Sequence, residues 1–205
     1  MFFQNALAGK NQFWRYVVSF FTIMLSWQGL GAVPLLIVIL LNDPWSLVKM
    51  GGKLDFEAMG VDANLGFFVL FLMFVFGLAG LVISIRFIHQ KPVCKVITGR
   101  SRISWSRFFS GALIWGGMLG IFLAVQLHLF PERYEMNFSA SRFLPLLVMA
   151  VIMVPMQTGF EEILFRGYYM QAISLISKNR WAPLLITSAI FGLLHIFNPE
   201  IGRAH

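Results

Sequence analysis

The chain has 205 residues, of which 58% are hydrophobic and only 12% charged, where soluble domains carry roughly a quarter. Together with a mean hydropathy of +0.76, this excludes an ordinary water-soluble domain, and the net charge of +7 sits in short loops between apolar runs, a pattern of membrane topology and anionic lipid contact rather than of nucleic-acid binding. The single cysteine, Cys94, excludes an internal disulfide framework.

Met1 to Tyr16 is polar and carries Lys10 and Arg15. No small-residue cleavage site follows at the usual distance, so no removable signal peptide is expected. A first span is predicted from about Val17 to Leu41, long enough to cross a bilayer with some tilt. Gln28, Gly29, Gly31 and Pro34 interrupt it, and a kink is expected near Pro34. The loop Asn42 to Asn64 holds more acids than bases, with turns at Asn42-Asp43-Pro44 and Gly51-Gly52. A second span is predicted from about Leu65 to Ile88, where Gly77 and Gly80 let another helix approach closely.

Residues 86–107 form the most basic segment, with Arg86, Lys91, Lys95, Arg100, Arg102 and Arg107 and no acid. The positive-inside rule places it in the cytoplasm. Ile103, Trp105, Phe108 and Phe109 among these bases fit either a short interfacial helix or a solvated basic loop. A third span follows from about Phe108 to Phe130, with Gly111, Gly116, Gly117 and Gly120 as close-packing positions. The loop Pro131 to Arg142 is assigned to the outer side. A fourth apolar run starts at Phe143. A last helix is predicted from Trp181 to about Phe197, ended by Asn198-Pro199. The resulting expectation is an all-α, polytopic transmembrane bundle of about five spans, one domain over residues 1–205. Its N-terminus and basic loop 86–107 lie on the cytoplasmic side.

The fourth run leads into Glu161-Glu162-Ile163-Leu164-Phe165-Arg166, although residues 143–160 hold no charged side chain. A charge at bilayer depth costs roughly 2.5–3.5 kcal/mol on insertion scales, so three within one short stretch point to function. Glu162 and Arg166 are spaced to pair along one helix face, acid first. Glu161 is turned about 100° away, is the less neutralised carboxylate, and is the candidate general base acting on a water. Phe191, His195 and Asn198 share a face of the last helix. If the turn is near Asn179, Glu161 and His195 lie roughly 27 and 24 Å from it along their helices. The hairpin then carries them to similar depth, provided that Gly167 does not break the first helix. His89 and His128 lie near span ends and are read as structural, and Phe191 as packing.

There is no His-Glu-x-x-His zinc motif. Glu161, Glu162 and His195 could ligate a metal by type, but the charge of Arg166 disfavours a dication. No cofactor is predicted.

Glu161-Glu162-x-x-x-Arg166 followed by Phe191-x-x-x-His195 resembles the first two motifs of the CAAX protease and bacteriocin-processing family, which includes the type II CAAX prenyl endopeptidases and the Abi proteins. The likeness runs from about Lys10 to Pro199. It implies an intramembrane peptidase with a cavity open to the cytoplasm, set in the plasma membrane of a bacterium and acting on a membrane-proximal peptide or protein. In it, Glu161 with His195 would activate the attacking water, while Glu162 and Arg166 support the geometry. His195 to Asn198 matches a His-x-x-Asn familiar in bacterial members. The family pattern also has further helices and a second histidine motif that stabilises the oxyanion. This chain stops at His205, and the expectation is a truncated sequence. The alternative is a non-hydrolytic bacteriocin-immunity or peptide-binding protein that uses the same cavity. A third reading is a scaffold in which Glu162 and Arg166 are internal glue.

Overall fold

A computed structural model describes residues 3–42, 44–45, 55–100, 102–177, 179 and 181–196. Among these residues every regular element is helical. Four helices are long and apolar enough to cross a membrane: α1 (Phe13–Asn42), α2 (Ala63–Ile88), α3 (Trp105–Leu129) and α4 (Ala140–Ile176). A shorter apolar helix, α5 (Trp181–His195), has 15 residues. At 1.5 Å per residue that is about 22 Å, less than the roughly 30 Å hydrocarbon core. The expected five spans are therefore four long helices and one short one among the described residues. Gly51, Gly52 and Asn198 lie outside them.

α1 does not run as one regular helix. A wide π turn over Leu25–Gly29 gives way to a tight 3-10 turn over Leu30–Ala32, and α-helix resumes at Val33–Asn42. Pro34 has no N–H, and its ring crowds the carbonyl four residues back. The disturbance expected at Pro34 is thus taken up in the turn before it. α2 is capped by Asp62, whose carboxylate accepts from the backbone N–H of Asn64 and Leu65 at 3.0 and 3.1 Å, satisfying donors that a helix start leaves open.

α2 packs against both α1 and α4. The small residues allow this. A Cβ on Gly80 would lie 2.6 Å from the Ser26 Cβ, and one on Gly77 would lie 3.0 Å from the Phe160 ring. Ile23, Leu81, Ile85, Phe160 and Leu164 are buried where the three helices meet. A second apolar cluster, with Leu35, Ile39, Met59 and Val69, closes the far end of α1 and α2.

α3 departs from expectation. None of its residues is buried, and a Cβ on Gly111, Gly116, Gly117 or Gly120 would meet nothing within 4 Å. These glycines are not packing positions among the described residues, because α3 stands outside the α1–α2–α4 core. The basic segment also differs from both readings made of it. Trp105 opens α3, and Phe108 and Phe109 lie in its first turns, so no separate interfacial helix forms from them. The helical turn in this segment is Cys94–Ile97, and its Val96 is buried. The segment is not wholly solvated either, since Lys91 is only 5% exposed.

Candidate active site

α4 changes its winding at the acidic cluster. It is α-helical through Glu162, π-helical over Ile163–Tyr169, and α-helical again over Met170–Ile176. π turns are frequent at functional sites. Gly167 lies inside this stretch without ending the helix. A Cβ there would sit 2.8 Å from the Val96 carbonyl oxygen, so its smallness admits the Cys94–Ile97 turn. Both helices of the final hairpin therefore reach the turn, and α5 packs on the π stretch of α4.

Glu161 and His195 line the same cavity, of about 620 Å³. Its walls are otherwise mostly apolar: Phe20, Met24 and Trp27 come from α1, Phe74 from α2, Ile173 from α4 and Leu194 from α5, with Tyr169 of α4 adding an aromatic hydroxyl. This volume is ordinary for a ligand site. Glu161 is half-buried there, and its Oε1 accepts from the Gln157 side-chain amide at 2.9 Å.

Glu162 forms an ion pair with Arg166, as their spacing predicts. The pair is not enclosed by protein, since the two side chains are 48% and 55% exposed. The Arg166 guanidinium also lies over the Phe191 ring, 5.5 Å from its centroid. Phe191 in turn lies tilted against the His195 imidazole, with the ring centroids 4.3 Å apart. Phe191 is thus more than filler, because its ring joins the Arg166 side of the cluster to the histidine.

His195 Nδ1 lies 2.8 Å from the Phe191 carbonyl oxygen. A carbonyl only accepts, so in the neutral imidazole Nδ1 carries the proton and Nε2 is left as an acceptor. The arrangement offers a carboxylate, an imidazole acceptor and an apolar enclosure that strengthens their interactions. Among the described residues no group of three or more His, Cys, Asp and Glu side chains converges as a metal site. Glu162 is committed to Arg166, leaving two donors where catalytic zinc takes three protein ligands.

A second polar cluster forms where the segment just beyond α2 meets α4. His89 and Lys91 are almost fully buried. His89 Nδ1 faces the Lys10 carbonyl and its Nε2 the Tyr168 hydroxyl, both at 2.8 Å. Lys91 Nζ donates to the Ala6 carbonyl at 3.1 Å and to Gln171 Oε1 at 3.2 Å. This clasp ties residues 3–10 to α4. The strap can pass this close because Gly9 has φ +74 and no Cβ, which would lie 2.5 Å from the His89 carbonyl oxygen. Burial holds the His89 imidazole below its usual range, and Lys91 and Arg15 push the same way against the opposing Lys10 carbonyl. Burial, with help from Lys95, pushes the Lys91 amine down to about 8. The burial of His89 and Lys91 departs from the solvated state ordinary for a basic segment.

Sequence reasoning passed over Gln157. The available signal was its position four residues before Glu161, within an otherwise apolar run.

A family model described as type II CAAX prenyl endopeptidase Rce1-like matches residues 140–203, which include Glu161, Glu162, Arg166 and His195. The uncharacterized protein YyaK of Bacillus subtilis (strain 168) is 32% identical over 203 residues, covering 98% of this chain and 67% of that protein's length. No solved structure matches the chain.

Proposed function

The chain belongs to the type II CAAX prenyl endopeptidase Rce1-like family, and from that premise we propose that it acts as an intramembrane endopeptidase in which Glu161 and His195 activate a water. The observation that carries this reading is the shared cavity: the two side chains come from different helices and border one apolar enclosure. A water held between them would lose its proton to Glu161 as its oxygen adds to the scissile carbonyl. His195 Nε2 would accept the water's second O–H and align it. Collapse of the tetrahedral adduct would return the proton from Glu161 to the leaving amine, so atoms and charge balance over the cycle.

Glu162 and Arg166 support the geometry. Arg166 neutralises Glu162, so the base next to it is the uncompensated Glu161. Phe191 holds the imidazole face. The apolar walls suit a substrate with a hydrophobic group beside the scissile bond, of which the prenylated C-terminus in the family's name is one example. In this reading the N-terminus and the basic loop 86–107 face the cytoplasm of a bacterial plasma membrane.

The test is cleavage of a quenched fluorescent, membrane-anchored peptide by the protein in proteoliposomes. Glu161→Gln and His195→Ala should each lower turnover by about 10²–10⁴, the range of general-base catalysis, while Glu162→Gln leaves a larger remainder. Unchanged turnover in both of the first two variants overturns the proposal.

A further inference from the structure

The structure assigns Gln157 as the positioning residue that holds the Glu161 carboxylate in its working orientation; this rests on the reading of Glu161 as the base. Each of the two adjacent glutamates has a partner one helical turn away, and the partners differ in chemistry. Glu162 meets a cation, Arg166, four residues later. Glu161 meets a neutral amide, Gln157, four residues earlier, through Nε2 to Oε1 at 2.9 Å.

The difference decides what each carboxylate can do. A guanidinium cancels the charge and occupies the oxygens. A primary amide donates one hydrogen bond, fixes the rotamer and leaves the charge in place. With Oε1 held by Gln157, Oε2 is the oxygen free to receive a proton from water. A carboxylate rotating freely in a cavity of about 620 Å³ would spend much of its time turned away from His195, and misplacement by about 1 Å costs up to about 10²-fold in rate. The other charged or titratable groups around Glu161 are Glu162, Arg166 and Tyr169 on its own helix and His195 on α5, while α1 and α2 bring no titratable side chain, only Phe20, Met24, Trp27 and Phe74. No second side chain is recorded donating to Glu161 among the described residues.

The experiment uses the reconstituted protein and the same anchored peptide, with kcat and KM measured separately across pH for wild type, Gln157→Leu, Gln157→Glu and Glu161→Gln. Leucine suits an apolar membrane helix, so Gln157→Leu should keep its thermal stability and KM yet lose about tenfold in kcat, the scale of one hydrogen bond. Gln157→Glu should be poor at high pH, where two carboxylates face each other, and recover as the pH falls and the new acid becomes a donor. Gln157→Leu should show no such recovery. Wild-type kcat in Gln157→Leu, a change confined to KM, or a Gln157→Glu variant that does not regain turnover on acidification, each overturns the assignment. If Glu161→Gln is inactive in those cases, only the role of Gln157 falls. If Glu161→Gln also turns over normally, the reading of Glu161 as base is what fails.

Discussion

Gly80→Ala tests the helix contact that seats the cavity wall. The added Cβ would lie 2.6 Å from the Ser26 Cβ, 2.7 Å from its Oγ and 3.3 Å from the Thr22 carbonyl oxygen. Carbon atoms rest at about 3.5–4.0 Å, so α1 and α2 must separate locally by about 1 Å. Rotation of the serine hydroxyl relieves the Oγ contact but not the Cβ one, because that atom is fixed by the backbone. Overpacking of this kind costs about 1–3 kcal/mol. Ser26 precedes Trp27, which packs edge-on to Phe160 at 5.1 Å, and Phe160 precedes Glu161. The displacement should therefore reach the cavity and lower turnover as well as stability. Reversible unfolding in mixed micelles would measure the loss, and Ser26→Gly in the same chain should restore much of it, with a coupling in the range of about 0.5–3 kcal/mol for contacting residues. A Gly80→Ala variant as stable as wild type, or one that Ser26→Gly does not rescue, would refute the contact.

Gly167→Val should detach the Cys94–Ile97 turn from α4, since its Cβ meets the Val96 carbonyl oxygen at 2.8 Å and Val96 Cγ1 at 3.0 Å; faster proteolysis within residues 91–100 is the expected readout, and unchanged proteolysis counts against it. The clasp should weaken in acid. The folded His89 holds its proton less readily than the usual 6.5, so below that value the unfolded clasp binds more protons and stability falls with pH. Protonation would also place a hydrogen on Nε2, where the Tyr168 hydroxyl now has an acceptor. Lys91, at about 8, works in the same direction at higher pH: the unfolded amine keeps its proton longer, so stability rises from about pH 8 toward 10.5. Hydrogen exchange over residues 3–10 should lose protection on acidification, and His89→Gln should remove the part that begins near pH 6.5; flat protection in the wild type would contradict it.

Much of this arrangement is legible in the sequence because it depends on local spacing. Apolar run length places the four long helices to within a few residues. The four-residue offset of Glu162 and Arg166 gives their pair, and counting back from the turn near Asn179 brings Glu161 and His195 to one cavity. Gly77 and Gly80 also read correctly as close contacts. The four glycines of α3 read the same way but are open, because a small residue records that an approach is possible, not which helix makes it. The burial of His89 and Lys91 is equally invisible, since a charged residue in a basic loop is ordinarily solvated and its partners, Ala6, Tyr168 and Gln171, are far away in the chain. The π turns at Leu25–Gly29 and Ile163–Tyr169 lack an unambiguous local signature, although Pro34 marks the first approximately.

The central claim is that Glu161 activates water and does not itself attack the peptide. Single-turnover cleavage of the anchored peptide in oxygen-18 water, followed by mass spectrometry of the product and of the protein, separates the two. The account predicts one heavy oxygen in the new product carboxylate and none in Glu161. Heavy oxygen in the Glu161 carboxylate with an unlabelled product, or cleavage that persists at the wild-type rate in Glu161→Gln, would contradict it.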